Sequence, residues 1–560
     1  MRDLPAKRAL PANKSVMNVQ NAVVGLRGRD LLSTLRTLAL QGVKQPIHSA
    51  RHALALGGQL GRVLLGDKPF KVNPQDPRFA DPTWRDNPLY SRSLQSYLAC
   101  QKQLNNWIDE SNLDADDRAR ARFVTTLLGD ALAPSNTLLN PQVIKELFNS
   151  GGSSLFKGVS HLFDDLVNND GMPSQVSKHA FEVGRNLATT SGSVVFRSEL
   201  LELIQYKPMS EKQYAKPLLI VPPQINKFYI FDLSSEKSFV QYALKNGLQT
   251  FVVSWRNPDP KHREWGLSSY VEALEVAIDA CREITGSKDV NLLGACAGGL
   301  TTAALQGHLQ AKRQLRKVAS ATYMVSLLDS QIDSPAMLFA DEKNLEAAKR
   351  RSYQQGVLDG RDMARVFAWM RPNDLIWNYW INNYLLGKQP PAFDILYWNN
   401  DNTRLPAALH GDLIDFFKHN PLTHPRGLEV CGTPIDLRKV NVDSFSVAGI
   451  NDHITPWDAV YRSTLLLGGN RRFILSNSGH IQSILNPPGN PKSNYLESPK
   501  LTGDPRAWYH DAEHLQGSWW PVWLSWMQER SGEQRDTQMT LGNPDYPAME
   551  AAPGTYVHVR

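Results

Sequence analysis

The chain has 560 residues, 42% hydrophobic and 9% aromatic, so it can bury a large core and is long enough for more than one domain. Its four cysteines, Cys100, Cys281, Cys296 and Cys431, form no CxxC pair, which argues against a disulfide framework or a zinc site and favours a reducing cytoplasm. The first residues lack an apolar signal segment and no run of 18 uncharged apolar residues follows, so we expect neither secretion nor a membrane span.

The net charge of +6 is concentrated near the N-terminus. Residues 1–66 carry ten lysines and arginines against two aspartates, so the remainder is slightly acidic. We interpret residues 1–75 as a basic, partly disordered lead. Its interleaved leucines are compatible with binding to a phospholipid surface or a hydrophobic particle, and equally with a solvated tail. Nucleic-acid binding is disfavoured, because the chain has no basic stripe beyond the lead, no zinc-finger spacing and no aromatic RNA-reading motif.

A mostly helical N-terminal domain is predicted over residues 76–200. Apolar residues recur with helical spacing in YSRSLQSYLACQKQLNNWID and in a second segment that begins at Asn140 and Pro141. From Lys216 the pattern changes to short apolar runs of strand length, namely PLLIVPP, TFVVSW, VNLLG and ATYMVSL, with helical stretches between them. Strands that alternate with helices predict an α/β fold with a parallel sheet, and we assign residues 201–560 to this domain.

Residues from about 330 to 430 break the alternation. They are rich in Trp, Tyr, Asn and Met, and their pattern is typical of helices or irregular structure. We therefore predict a cap subdomain that is inserted into the α/β domain. The sheet resumes at VDSFSVAG and RRFILSNSGH, two short apolar runs that end in residues able to do chemistry. From Ser531 a tail rich in Pro, Gly and polar residues predicts an extended terminal segment.

The most informative motif is VNLLGACAGG at residues 290–299, a strand that runs into G-x-C-x-G-G and then a helix. It matches the nucleophile elbow of an α/β-hydrolase, with Cys296 in place of serine. Small neighbours suit the tight strand-to-helix turn, and the positive end of the following helix dipole favours a thiolate. The simpler alternative is a buried cysteine in a glycine-rich turn, or a phosphate-binding loop.

An α/β-hydrolase requires its acid and its histidine to follow the nucleophile in that order. Asp452 lies in a loop just after one predicted strand, and His480 follows the next. The order nucleophile, acid, histidine therefore predicts a Cys296, Asp452 and His480 triad. Asp436 and Asp443 compete for the acid role, but they lie before or at the start of a strand rather than after its functional C-terminal end.

His453 is the competing base. We assign it a role beside Asp452, in which it either supports the catalytic residues or orients the substrate. An oxyanion hole needs the backbone N–H after the nucleophile, that of Ala297, and a second from the first strand-to-helix loop, residues 221–227. The two prolines of that loop cannot donate, so Ile225 is the candidate donor and Asn226 the alternative. We also consider Asn226 a substrate-orienting residue.

Taken together, these segments resemble the polyhydroxyalkanoate synthases, and the resemblance runs from about Asp76 to the C-terminus. The segments that carry it are VPPQINKFYI, FVVSWRNP, GACAGG, RPNDLIWNYWINNYLLG, FDILYWNNDNTRLP, AGINDHITPW, SGHIQSILNPPGNPK and WWPVWLSWM. Gln224 and the Gln482-Ser483 pair look like the medium-chain-length class, class II.

The resemblance implies polymerisation of (R)-3-hydroxyacyl-CoA into polyester with release of CoA, without a metal or a cofactor. Cys296 would carry the growing chain, His480 would deprotonate the thiol, and Asp452 would orient His480 or activate the 3-hydroxyl. It also implies a homodimer with Trp398 of the cap at or near the subunit contact. Its expected location is the surface of cytoplasmic polymer granules, together with other granule-associated proteins.

Two other classes of function stay open at this point. A cysteine-nucleophile thioesterase of the same fold would release free hydroxyacid, and a non-catalytic granule-coating protein would need no triad. Cysteine chemistry favours the polymerase, because a thiol exchanges one thioester for another at little cost and the later transfer to a hydroxyl is downhill. A dinucleotide-binding oxidoreductase is disfavoured, since GACAGG lacks the GxGxxG spacing.

Overall fold

The structure is a computed structural model that describes residues 28–72, 76–177, 179–332 and 342–560. Parts of the predicted basic lead (1–27 and 73–75) and of the predicted cap (333–341) lie outside the described residues. Among the helices it describes, none is long and apolar enough to cross a membrane.

The N-terminal part is helical, as its periodicity predicts. Its helices are α1 (Gly28–Lys44), α2 (Pro46–Leu64), α3 (Thr83–Asp86), α4 (Pro88–Glu110), α5 (Ala115–Ala131), α6 (Pro141–Asn149) and α7 (Ser153–Asn168). Asn140 caps α6 by accepting the backbone N–H of Gln142, with Pro141 in the first turn.

Part of the basic lead is ordered. Within the predicted basic lead, residues 28–44 form α1 and residues 46–64 form α2. The reason is packing, because Leu31 and Leu35 contact the core around Val124 of α5, and Leu38 contacts the core around Ile108 of α4. An amphipathic helix is stabilised mainly by such tertiary contacts.

A ten-stranded sheet forms the centre of the molecule, in the order β1-β2-β5-β4-β6-β7-β12-β13-β14-β15. The six strands from β5 to β13 in this order run parallel, and the two at each edge are antiparallel. The sheet starts before the expected domain boundary at residue 201. Its strands are β1 (Gly192–Arg197), β2 (Leu201–Tyr206), β4 (Leu218–Val221), β5 (Thr250–Trp255), β6 (Val290–Ala295), β7 (Val318–Met324), β12 (Asp443–Gly449), β13 (Arg471–Ser476), β14 (Asn494–Glu497) and β15 (Glu513–Gln516).

Helices cover both faces of this sheet. They are α8 (Phe239–Lys245), α9 (Leu267–Thr285), α10 (Ala297–Ala311), α15 (Trp457–Leu465), α16 (His480–Ile484), α17 (Pro505–Asp511) and α18 (Trp520–Gln528). Leu219 and Val221 of β4 face the core that contains α9 and α10, whereas Leu218 and Ile220 face the core that contains α8 and α18. All four are fully buried, which explains why this strand reads as an unbroken apolar run.

The chain between β7 and β12 forms the inserted cap. It contains α11 (Glu342–Gln355), α12 (Gly360–Met370), two π-helical segments (Asn373–Trp377 and Trp380–Leu385), α13 (Asp394–Asn400) and α14 (Ala407–His419). Two small antiparallel pairs complete it, β8 (Val357–Leu358) with β9 (Leu405–Pro406) and β10 (Leu428–Val430) with β11 (Thr433–Ile435).

The helical N-terminal part packs against the cap. Tyr384 of the second π-helical segment donates its hydroxyl to Asp165 of α7 at 2.8 Å, and Trp380 donates its indole N–H to the carbonyl of Asn136 at 3.1 Å. Gly158 of α7 lies so close to the backbone of Tyr384 that a Cβ would overlap its carbonyl. This contact therefore requires glycine.

The C-terminal tail packs back onto the sheet domain. β16 (Gln534–Asp536) pairs with β3 (Lys212–Tyr214), and Val194 of the edge strand β1 exchanges backbone hydrogen bonds with Met549 and Glu550. The carbonyl of Val557 accepts a hydrogen bond of 2.6 Å from the ammonium of Lys227. The predicted extended tail thus ends beside the loop that follows β4.

We expect Gly158→Ala to lower the free energy of unfolding by about 1–3 kcal/mol, since the added methyl forces α7 away from the cap. Urea unfolding followed by circular dichroism measures this effect. Gly58→Ala in α2 is the matched control, because a Cβ there meets nothing within 4 Å. The control should be neutral or stabilising by up to about 1 kcal/mol, and equal effects of the two substitutions would contradict the role of this contact.

Candidate active site

Cys296 sits on a strained turn between β6 and α10. Its φ of 51° lies in the left-handed region, and its backbone N–H donates to the carbonyl of Met324 at the end of β7 at 2.9 Å. A Cβ at Gly298 would overlap the carbonyl oxygens of Val221 and Pro222, and one at Gly294 would lie 2.6 Å from Thr302 Oγ1. Close packing therefore requires the glycines of GACAGG, and the turn has the geometry of a nucleophile elbow.

The structure brings Asp452 and His480 to this elbow. β12 ends at Gly449 and β13 at Ser476, so both side chains follow the carboxyl ends of neighbouring parallel strands. His480 Nδ1 and Asp452 Oδ2 are 2.7 Å apart, and both side chains are buried. Cys296 lies close enough to His480 to contribute to the raised pKa of its imidazole. The three predicted triad residues thus meet in one place.

The negative charge of Asp452 and the positive charge of His480 stabilise each other. Burial works against the imidazolium, but the Asp452 carboxylate and then Cys296 outweigh burial and raise the pKa of His480 to about 10. Burial also works against the carboxylate, but His480 and Thr455 more than compensate and hold the pKa of Asp452 below its usual range. His480 therefore stays a cation beside the Cys296 sulfur at neutral pH.

Thr455 is a member of the site that the sequence interpretation missed. Its hydroxyl donates to Asp452 Oδ2 at 2.6 Å, while the backbone N–H groups of Ile454 and Thr455 donate to Oδ1 at 2.8 and 3.0 Å. These bonds fix the carboxylate toward His480. The available signal was the D-x-x-T spacing after a strand, which is typical of a local side-chain turn.

The structure places the two competing acids elsewhere and leaves His453 beside the site. Asp436 caps a short 3-10 helix and pairs with Arg438, and Asp443 begins β12 and pairs with Arg530. His453 does not share the Asp452 hydrogen bond made by His480, and burial chiefly lowers its pKa to about 4. It is therefore neutral near pH 7, and a second-shell or substrate-orienting role for it stays a prediction.

Ala297 and Ile225 are the candidate oxyanion donors, and Asn226 is the alternative. Ala297 is the first residue of α10, so its N–H has no acceptor within the helix. Ile225 is half-buried in the loop after β4. The N–H of Asn226 instead donates to Thr403 Oγ1 at 2.8 Å, and its side-chain amide donates to Asn399 of the cap. Asn226 is thus the less suitable donor, because its N–H is already bonded.

Trp398 lies in the cap, as expected, but its side chain is not on the surface. It is 3% exposed and donates its indole N–H to the carbonyl of Lys227 at 2.7 Å. The apolar contacts of the indole are with the core of its own chain, and a place for Trp398 at or near a subunit contact stays a prediction.

One group of side chains has the composition of a metal site. His48 and His52 of α2 and Glu110 of α4 place three potential ligand atoms within 4.8 Å of one another. The Glu110 carboxylate already pairs with the guanidinium of Arg51, which satisfies its charge without an ion. The group lies in the helical N-terminal part, and the chemistry at Cys296 does not involve it.

Two family models match this chain. The model described as the N-terminus of poly-beta-hydroxybutyrate polymerase (PhaC) matches residues 75–243, and the alpha/beta hydrolase fold model matches residues 217–487. Poly(3-hydroxyalkanoate) polymerase 2 of Ectopseudomonas oleovorans is 72% identical over 560 residues, which cover 100% of both chains. The chain belongs to the poly(3-hydroxyalkanoate) polymerase family.

Other members of the poly(3-hydroxyalkanoate) polymerase family are also similar. Polymerase 1 of the same organism is 58% identical over 96% of each chain, and the polymerase subunit PhaC of Cupriavidus necator is 39% identical over 87% of this chain and 83% of its own. Among solved structures, a hydrolase from Pseudomonas aeruginosa is 13% identical and covers 54% of this chain and 94% of its own, with a TM-score of 0.31.

We expect Asp452→Asn to lower the free energy of unfolding by about 1.5–3 kcal/mol at pH 6. A histidine whose pKa is raised by folding stabilises the folded state fully when the pH is below its unfolded pKa of about 6.5. This stabilisation is lost as the pH rises through the pKa of folded His480, which is about 10. The difference between wild type and variant should therefore shrink from pH 6.5 to 10, as measured by urea unfolding. Asp443→Asn removes an acid paired with Arg530, so its effect should stay constant over this range, and a flat profile for Asp452→Asn would contradict the assignment.

Proposed function

We propose that this protein polymerises (R)-3-hydroxyacyl-CoA into poly(3-hydroxyalkanoate) with release of CoA. The observation that carries the proposal is a cysteine on a nucleophile elbow that meets a buried imidazole–carboxylate pair. The names of the related polymerases supply the product class. Neither a metal nor a cofactor is needed for the chemistry below.

In the first step, the Cys296 sulfur, whose proton His480 holds, attacks the thioester carbonyl of the substrate and a new C–S bond forms. The resulting oxyanion would be stabilised by the N–H groups of Ala297 and Ile225. When the intermediate collapses, the bond to CoA breaks, and the departing CoA thiolate takes the proton held by His480. Thioester exchange leaves the acyl group activated on the enzyme.

In the second step, the 3-hydroxyl of another acyl unit attacks the Cys296 thioester. An oxoester bond forms, the bond to Cys296 breaks, and the hydroxyl proton passes to His480. Asp452 is better suited to orienting His480 than to activating the hydroxyl directly. Its side chain is fully buried, and its oxygens already accept bonds from His480, Thr455 and Ile454.

We further propose the medium-chain-length preference of class II. It rests on Gln224 and on the Gln482-Ser483 pair that follows His480. Gln224 is buried and donates its side-chain amide to Thr301 of α10 at 2.9 Å, so it lies against the helix that begins at the nucleophile. Ser483 is buried in the same short helix as His480. Both positions can therefore influence the space around the acyl chain.

The decisive experiment compares wild type with Cys296→Ser on (R)-3-hydroxydecanoyl-CoA and (R)-3-hydroxybutyryl-CoA. We expect wild type to release CoA and form insoluble polyester that carries the enzyme with it on centrifugation, with the decanoyl substrate preferred. Cys296→Ser should lose at least about 10³-fold in CoA release, because a much less acidic hydroxyl replaces the thiol. A thiol dye measures CoA, and product extraction separates polymer from free acid.

Cys100→Ser is the matched control, since Cys100 is an exposed helical thiol and its loss should leave the rate unchanged. Soluble hydroxyacid in place of polymer would identify a thioesterase. Full activity of Cys296→Ser would contradict the cysteine mechanism, and a preference for the butyryl substrate would contradict the class assignment.

A homodimer at the surface of cytoplasmic polyester granules, together with other granule-associated proteins, completes the proposal. Exposed aromatic side chains on α6 and α7 support an apolar contact surface, since Phe148, Phe156 and Phe163 are 80%, 81% and 69% exposed. Trp398 contributes through the cap rather than by direct contact, because it is buried.

Sedimentation velocity should detect a species of twice the 62.8 kDa chain mass in the presence of substrate. A dimer is expected because Phe148, Phe156 and Phe163 are largely exposed, and exposed apolar side chains grouped on a surface mark an interaction site. A single species of 62.8 kDa at every protein concentration, with and without substrate, would contradict it.

A further inference from the structure

The loop at residues 224–227 lies beside the elbow and carries the Ile225 N–H that the oxyanion needs. Its approach to the nucleophile is close, because the chain leading into it at Val221 and Pro222 lies directly against Gly298. Loops after sheet strands are usually more variable than the strands themselves. A hydrogen-bond donor on such a loop must be held in place, because only a preorganised donor stabilises the charge that develops in the transition state efficiently.

Thr403 of the cap holds this loop from both sides of Ile225. Its hydroxyl donates to the carbonyl of Gln224 at 2.8 Å and accepts the N–H of Asn226 at 2.8 Å. Thr403 is 5% exposed, so water does not readily replace these bonds. Asn226 has a φ of 73°, a left-handed conformation that a non-glycine residue adopts at a cost unless its surroundings fix it.

The cap segment that carries Thr403 is itself anchored. Trp398 donates to the carbonyl of Lys227 at 2.7 Å, and the buried Lys227 ammonium lies 3.0 Å from Asp401 Oδ1. The hydroxyl of Tyr229 donates to the other oxygen of Asp401 at 3.0 Å, and the C-terminal tail adds the carbonyl of Val557. The segment from 398 to 403 and the loop therefore form one hydrogen-bonded unit.

We propose that Thr403 is a positioning residue for acyl transfer: its hydroxyl bridges Gln224 and Asn226 and so aims the Ile225 N–H at the oxyanion on the substrate. The inference rests on the proposed acyl-transfer function at Cys296. Thr403 touches neither the nucleophile nor the base in this arrangement, and it acts only through the loop. Its removal should therefore slow the chemical step without weakening substrate binding or the reactivity of the thiol.

The test compares Thr403→Val, which lacks both bonds, with Thr403→Ser, which keeps the hydroxyl. For CoA release from (R)-3-hydroxydecanoyl-CoA, we expect kcat to fall about 10²-fold in Thr403→Val with KM within about threefold, and kcat to recover to within about fivefold in Thr403→Ser. Thr125→Val in α5 is the matched control, because Thr125 is 7% exposed and bonds only to its own helix.

Alkylation of Cys296 by iodoacetamide, followed by mass spectrometry of its peptide, supplies a second readout. This displacement at a saturated carbon forms no oxyanion, so its rate in Thr403→Val should stay within about threefold of wild type. A parallel loss of alkylation would mean that the elbow itself is disturbed, and would overturn the proposal.

A folded Thr403→Val with kcat within threefold of wild type would also overturn it. Thermal unfolding of each variant checks the fold, and Thr403→Ala replaces Thr403→Val if the latter does not melt cooperatively. If neither variant folds, Thr403 is a structural residue and the proposal is wrong. Absence of CoA release from wild type would instead contradict the proposed function, so the two failures are distinguishable.

Discussion

The close packing of the elbow is the constraint on which the rest of the site depends. Cys296 must leave β6 and start α10 within one residue, at a φ of 51°. That turn is compatible with the surrounding backbone only because Gly298 lies against the strand-end carbonyls of Val221 and Pro222. The same contact fixes how near the loop after β4 comes to Cys296, so one steric fit positions the candidate nucleophile and the candidate oxyanion donors.

The second requirement of the site is that His480 keeps its positive charge although its side chain is buried. An isolated imidazolium in this interior would lose its proton, as the low pKa of His453 illustrates. His480 behaves oppositely because Asp452 is saturated with donors and stays ionised beside it. Two histidines in one region therefore have opposite charge states at neutral pH. At His480 the Asp452 carboxylate, 2.7 Å from Nδ1, and Cys296 outweigh burial, whereas burial prevails at His453.

The cap is integrated with the catalytic domain rather than laid over it. Its segment from 398 to 403 bonds to the loop after β4, and its π-helical segments pack on α7 of the N-terminal helices. The C-terminal tail reaches the same region through Val557 and Lys227. Parts of the chain that are distant in sequence thus meet around the loop next to the nucleophile, which suits a reaction that must exclude water from an activated acyl group.

The sequence by itself determined the α/β fold and the elbow and predicted the three triad positions, because strand and helix periodicity and the G-x-C-x-G-G spacing are local properties. It did not reveal Thr455 or Thr403 as partners in the site, nor the order of α1 and α2, nor the burial of Trp398. Each of these depends on contacts between segments brought together only by folding, such as the approach of the cap to the loop at Asn226. A threonine hydroxyl has no pattern that identifies its acceptor along the chain, so the tertiary structure alone decided which threonines hold the site.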